Sequence, residues 1–359
     1  MSAPDAPQIL GVPIEQLRGR LARDGIEPYR ADQIAAWLYA RGVWEFERMS
    51  DLSSELRARL ARSWRSRALE LASVERSGDG TVKGLLRATD GARVEAVLIP
   101  EDDRTTLCLS TQVGCPLRCS FCATGSLGFT RNLSSAEIVD QVCRMRSLLE
   151  GGRSLTNVVF MGMGEPLLNL KAVLDAIRIL MHPKGFGFAG RRITVSSVGV
   201  VPKFGELLEQ ARVNLAVSLH ATTDALRDEL VPINRRFPLA VLFDTLRGLE
   251  VVTPRWPVFF EYTLIGGVND GPEDAARLVR LLRRLPSKLN LIPMNPHPGS
   301  PYRAPAPAQV ERFLARVSGR GFPVTLRRSR GADIAAACGQ LVAGGAQGRR
   351  ERRAGVGSR

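Results

Sequence analysis

From residue 134 to residue 326 the chain repeats one rhythm, an amphipathic helical stretch followed by a short apolar run. The stretches 134–149, 170–180, 201–211, 224–250, 272–285 and 306–317 carry apolar residues at three- and four-residue spacing, the period of a helix face. Between them lie 157–162, 192–196, 213–218, 258–264, 289–293 and 323–326, short runs rich in β-branched and apolar side chains, which predict strands. Strands joined by helices must cross over, and such crossovers are right-handed, so the pattern predicts an α/β fold with a parallel sheet. Counted from Leu107, about seven strands predict an open or partial TIM-like (βα)6 barrel rather than a closed eight.

The chain before this rhythm has a different texture. Residues 14–64 read as helices separated by glycines and polar caps such as Asp32 and Ser53, and residues 1–13 read as a loose leader. Residues 72–113 hold short, partly alternating apolar runs punctuated by Asp-Gly at 79–80 and 90–91, a hairpin or meander leading into the first barrel strand. The expected division is a helical accessory domain at 1–70, a short β extension at 71–106, the barrel with a C-terminal cysteine loop at 107–341, and a basic, disordered tail at 342–359.

Inside this frame, residues 114–125 read GCPLRCSFCATG and place Cys115, Cys119 and Cys122 in a C-x3-C-x2-C pattern after an apolar run. Three thiolates hold three irons of a cubane cluster and leave the fourth iron open to a ligand that is not protein. The alternatives are a zinc site or free thiols. A zinc site asks for a fourth ligand at related spacing, and His182, His220 and His297 are scattered while no second cysteine pair follows.

Parallel α/β sheets carry their chemistry at the C-terminal ends of the strands. There the sequence sets Met161–Gly162–Met163–Gly164–Glu165–Pro166, then Ser196 and Ser197, then Ser218, Leu219 and His220, then Asn295. Glycines let backbone approach a ligand closely, Glu165 suits an ammonium group, and the hydroxyl, imidazole and amide groups suit a ribose, an adenine edge or a carboxylate. No GxGxxG joins a strand to a helix, so a Rossmann-type nucleotide site is not expected. Glu95 lies in a strand whose alternation can turn it toward a cavity or to solvent. Cys108 is read as a small buried residue, and Cys143 as packing.

Six cysteines, three of them clustered, do not form a secreted disulfide framework. No run is long enough for a membrane span, and the N-terminus lacks a basic region followed by an apolar one, so a cytoplasmic protein without membrane association is expected. The net charge of +14 favours a polyanionic partner. An arginine-rich composition with many Arg beside Glu and Asp accounts for part of that charge without any nucleic acid.

The cysteine loop resembles the signature of the radical S-adenosylmethionine superfamily. Together with GMGEP, SLHAT, LIPMNP and SRGADIAAACGQL, and with YRADQIAAWLYARGVWEFERMSDLSSELR in the helical region, the chain resembles the radical S-adenosylmethionine RNA methyltransferases. That family makes C2-methyladenosine in 23S ribosomal RNA and, next to the anticodon, in tRNA. The resemblance implies a barrel of the radical S-adenosylmethionine type, one [4Fe–4S] cluster on Cys115, Cys119 and Cys122, and S-adenosylmethionine held by Gly164, Glu165, Ser197, Ser218, Leu219, His220 and Asn295. The chain reads TVSSVG where the family commonly has TVSTSG, which leaves Ser196 and Ser197 as alternatives for one contact.

The resemblance further implies two S-adenosylmethionine molecules per methylation. One methylates Cys338, and the second gives a 5′-deoxyadenosyl radical that activates the methyl group for attack on adenine. Cys108 then corresponds to the thiol that pairs transiently with Cys338 to release the product, and Glu95 to the proton acceptor. A low-potential electron donor such as flavodoxin, a monomeric state and RNA binding through residues 1–70 complete the expectation. The competing readings are methylation at C8 of the same adenosine and a radical enzyme acting on a peptide or small molecule.

Overall fold

The computed structural model describes residues 6–343; residues 1–5 of the expected leader and the expected tail from residue 344 on lie outside them. Three short helices come first, α1 (Ile14–Arg23), α2 (Arg30–Ala35) and α3 (Ser54–Ser63). An antiparallel meander follows, formed by β1 (Leu69–Arg76), β2 (Val82–Ala88), β3 (Arg93–Pro100) and β4 (Thr105–Cys108). The cysteine loop is bracketed by β5 (Gln112–Gly114), the single turn α4 (Ala123–Ser126) and β6 (Phe129–Asn132), with β5 and β6 paired as a separate ribbon.

Helices and strands then alternate: α5 (Ser135–Arg146), β7 (Asn157–Phe160), α6 (Leu170–Met181), β8 (Ile193–Ser197), α7 (Phe204–Gln210) and β9 (Asn214–Ser218). The rest of the series is α8 (Asp224–Leu230), α9 (Leu239–Gly248), β10 (Val258–Leu264), α10 (Pro272–Leu282), β11 (Ser287–Pro293), α11 (Pro307–Val317) and β12 (Val324–Leu326). One sheet runs in the order β1-β2-β3-β4-β7-β8-β9-β10-β11-β12. It is parallel from β4 onward and open, because β1 and β12 are its two edges. Six helical connections join these parallel strands, which is the partial (βα)6 barrel the rhythm predicted. The expected helical stretch 224–250 divides into α8 and α9 because Pro232 and Pro238 remove backbone donors between them.

Residues 6–13 correct the expectation of a loose leader. Ile9, Leu10 and Val12 are buried, and the Ile9 N–H donates to the Arg65 carbonyl at 2.9 Å. Gly11, at φ +80°, passes so near the start of α5 that a Cβ would stand 2.2 Å from the Ala136 nitrogen. Ile9, Leu10 and Val12 are too few to show a period, yet they close the groove between the first helices and α5. Asp140 of α5 accepts the Ala68 and Leu69 N–H groups at 2.8 and 2.7 Å, and one continuous apolar core joins α1, α2 and α5 to the barrel interior. Helix α5 starts where it does because Ser134 and Glu137 close a reciprocal capping box. No helix among the described residues is long and apolar enough to cross a membrane.

Candidate active site

The cysteine loop is shaped by its glycines. Gly114 adopts φ +75°, and a Cβ there would stand 1.9 Å from the Gly128 carbonyl oxygen. The Cys115 N–H donates to that same carbonyl at 2.8 Å, so the ribbon closes directly beneath the first thiol. Arg118, at φ 53°, turns the chain between the first two cysteines, and the Cys122 N–H closes a turn onto the Cys119 carbonyl at 3.1 Å. Cys115, Cys119 and Cys122 thereby line one open cavity. Leu117, Phe121, Val231, Ile265 and Met294 form an apolar shell around Cys119 and Cys122.

Burial pushes the Cys115 thiol up to about 12 and the Cys119 thiol well above its ordinary value, with the neighbouring thiols and Glu165 adding to the rise. One buried soft sulfur between two half-buried ones fits a cationic iron–sulfur group, which would hold all three as thiolates. Among the described residues no three His, Cys, Asp or Glu side chains converge on a single metal-ion site.

The ends of the parallel strands form the opposite wall. Gly164, at φ +98°, lies against Gln112, where a Cβ would come within 2.5 Å of that side chain. Gln112 Oε1 accepts the Glu165 N–H at 2.8 Å, and the Glu165 carboxyl accepts the Leu167 and Val198 N–H groups at 3.1 and 3.0 Å. Burial raises Glu165 to about 7 against the pull of these donors. Ser197 is occupied locally, its Oγ accepting the Gly199 and Val200 N–H groups, whereas Ser196 Oγ faces Ser218 Oγ at 3.4 Å. Both serines reach the cavity wall.

His220 sits at φ 58°, in the left-handed region, with its ring edge-on to Phe121. Its Nδ1 accepts the Thr263 N–H at 3.0 Å, which leaves the ring proton on Nε2, and burial lowers its pKa to about 3. Arg227 is fully buried behind this wall and donates to the Leu219, Val198 and Ser218 carbonyls and to Asn234 Oδ1.

The segment carrying Cys338 is pinned across the mouth. Ala123 N–H donates to the Gly339 carbonyl at 2.7 Å and Thr124 Oγ1 to the Leu341 carbonyl at 2.7 Å, both from the turn after Cys122. Asn295 Nδ2 donates to the Cys338 carbonyl at 3.2 Å, and Gln340 Nε2 to the Pro296 carbonyl at 2.8 Å. Cys338 is exposed, but its exposure opens into the cavity. Surrounding protein raises its thiol pKa while Arg327 pulls it down.

Three expected site residues do not stand on the cavity wall. Leu219 is fully buried, with its N–H on the Glu261 carbonyl. Cys108 is buried on β4, its thiol pushed up to about 12 by burial and by the nearby Cys338. Glu95 is buried on β3, where it accepts the Val342 N–H at 2.8 Å and lies 3.8 Å from Lys83 Nζ, so it anchors the chain just beyond the Cys338 loop. All six cysteines are free thiols, so the Cys108–Cys338 pairing is not a resident bond in this structure. Sequence reading passed over Glu261, Arg227 and Arg327. A lone carboxylate within the apolar strand Val258–Leu264 is a signal for the first; Arg227 lies in a charged helical stretch that reads as surface, and Arg327 opens the arginine-rich run before the Cys338 loop.

Residues 109–279 match the model of the radical SAM superfamily, and residues 8–65 match the ribosomal RNA large subunit methyltransferase N-terminal domain. A dual-specificity RNA methyltransferase RlmN from Anaeromyxobacter dehalogenans is 49% identical over 98% of this chain and 95% of its own length. The protein of the same description from Geobacter sulfurreducens is 51% identical over 93% of this chain and 91% of its own. The crystal structure of a radical SAM methyltransferase from Sphaerobacter thermophilus superposes with a TM-score of 0.87 at 45% identity, covering 94% of this chain and 99% of that one.

Proposed function

This chain belongs to the RlmN family of dual-specificity RNA methyltransferases in the radical S-adenosylmethionine superfamily, and from that membership we propose how its residues divide the work. It is an RNA methyltransferase that uses a [4Fe–4S] cluster and S-adenosylmethionine, and its product is C2-methyladenosine in 23S ribosomal RNA and tRNA. When bound, cluster and S-adenosylmethionine supply a carbon-centred radical, the kind of reagent an electron-poor, unactivated adenine carbon requires.

Cys115, Cys119 and Cys122 hold the cluster. Glu165 takes the ammonium of S-adenosylmethionine, a cation that offsets the burial cost of its carboxylate. Ser197 and Ser218 at the ends of β8 and β9 line the ligand's path, with Gly164 and Leu219 shaping the backbone and Asn295 fixing the Cys338 loop. His220 offers a neutral Nε2–H. Cys338 carries the methyl group to the base, Cys108 is the thiol that later exchanges with it, and Glu95 accepts the proton lost from the adenine. We further propose that a low-potential donor such as flavodoxin supplies electrons, that the enzyme is a cytoplasmic monomer, and that the helices within residues 1–70 hold folded RNA through its backbone while the target base leaves its stack.

The observation that carries this reading is Cys338, a free thiol that opens into the cavity of the three clustered cysteines on a loop bonded to theirs. Peptide mass spectrometry of enzyme purified without oxygen tests it. One added methyl on Cys338, absent from Cys115→Ala, is the expected result, with digested RNA co-eluting with the C2- and not the C8-methyl standard. An unmodified Cys338 in protein with a filled cluster overturns the methyl-cysteine route.

A further inference from the structure

One carboxyl group on the cavity wall has no place in the division of roles above. Glu261 stands in β10, in register with Ser218 of β9 and Asn290 of β11, so the three side chains share one face of the sheet. It is 4% exposed. Its Oε1 accepts Asn290 Nδ2–H at 2.8 Å, but Oε2 is buried and accepts from no group among the described residues. Buried carboxyl oxygens in folded proteins almost always have a donor, because an unmet one carries the full cost of its lost hydration. Glu165, by comparison, has a backbone N–H on each oxygen.

No cation pairs with Glu261 within 4 Å among the described residues, although Arg327 and Cys338 stand on the same cavity wall. Glu261 thus lines a space that receives ligands while its second oxygen lacks a donor among the described residues. A carboxyl there repels phosphates and carboxylates and accepts uncharged N–H and O–H donors. If the function proposed above holds, the two molecules that enter this space both carry an adenosine, whose exocyclic amine and ribose hydroxyls are donors of that kind.

We propose that Glu261 is a ligand-binding residue of this cavity, its Oε2 accepting an N–H or O–H of a bound adenosine. The adenosine belongs either to S-adenosylmethionine or to the target nucleotide, and equilibrium binding separates the two. The cluster-loaded enzyme and its Glu261→Gln variant, which keeps the acceptor for Asn290 but turns an amide N–H toward the ligand, are titrated anaerobically with S-adenosylhomocysteine. They are also titrated with a substrate RNA hairpin carrying adenosine, purine riboside or 2′-deoxyadenosine at the target position.

Loss of a hydrogen bond to a charged or partly charged acceptor is worth roughly tenfold or more in affinity. A loss of that size for S-adenosylhomocysteine alone, at an unchanged melting temperature, assigns the contact to the cofactor. A variant that binds S-adenosylhomocysteine normally, but no longer distinguishes adenosine from one of the two altered hairpins, assigns it to the target. Asn290→Ala, which leaves Glu261 in place but unbraced, is expected to weaken the same ligand by a smaller factor. Binding of every ligand within twofold of wild type in Glu261→Gln overturns the proposal, as does a uniform loss that tracks a lowered melting temperature. Failure of the wild-type enzyme to bind S-adenosylhomocysteine counts against the function itself and not against this residue.

Discussion

At the scale of single residues, His220 shows how the site uses backbone strain. A non-glycine residue at φ 58° persists only where its surroundings hold it. Here Asn269 Nδ2 donates to the His220 carbonyl at 2.7 Å while Thr263 N–H donates to the ring. Burial keeps its folded pKa near 3, below the ordinary value of 6.5, so between those values the unfolded chain takes up a proton that the folded chain refuses. The stabilisation is complete above pH 6.5 and drains as the pH falls toward 3. Between pH 7 and 5 this is about 2 kcal/mol. His220→Gln, which keeps an acceptor for Thr263, is expected to lose less stability over that interval, as read from urea midpoints. Equal slopes in both proteins would mean the imidazole titrates normally.

Gly114 is constrained by space rather than charge. Gly114→Ala drives a methyl into the Gly128 carbonyl and is expected to cut iron bound per chain by at least half, while the circular dichroism of the barrel is preserved. Retention of full iron would show that the ribbon can open. The three thiols and Glu165 were legible in sequence because motif spacing and strand ends point to them. Arg227 was not, because DALRDEL has the composition of a solvated helix and only the packing of α8 against the strand ends buries it.

At the scale of elements, the strand–helix rhythm was readable because each helix must cover the sheet with one apolar stripe, and that stripe leaves a 3.6-residue period. The residues 6–13 strap and the Cys338 loop have no period to read. Their positions come from single hydrogen bonds and close approaches made by residues far apart in the chain. Thr124 makes such a bond, buried and donating to Leu341 across the mouth of the cavity. Thr124→Val keeps the volume and strands a buried carbonyl, at a cost of about 1–3 kcal/mol borne by the loop. The expected result is faster alkylation of Cys338 by iodoacetamide in protein whose Cys338 is unmethylated, and several-fold slower RNA methylation, with iron content unchanged. Unchanged alkylation would place the restraint in Asn295 and Gln340 instead.

At the scale of the whole molecule, the shared core decides how RNA binding by the first helices can be tested. Deleting residues 1–70 would expose the apolar face of α5 and strip Asp140 of its backbone donors, so lost RNA affinity in such a protein would report unfolding. Surface charge is the cleaner lever. Arg20, Arg23 and Arg62 lie on α1 and α3, and none is in an ion pair among the described residues, whereas Arg18 is held by Asp32 at 2.8 Å. With a net charge of +14, nonspecific attraction to RNA is spread over the molecule, so a fall in affinity alone would not locate the binding surface. The slope of log Kd against log salt does locate it, because each phosphate that the protein ceases to neutralise lowers that slope by about 1. Changing the three arginines together to glutamine is expected to reduce the slope by up to about 3 and to leave the melting temperature within a degree or two of wild type. A slope equal to that of the parent, with weaker binding or without it, would move the RNA surface off α1 and α3, leaving the first helices a purely structural task as the cover of α5.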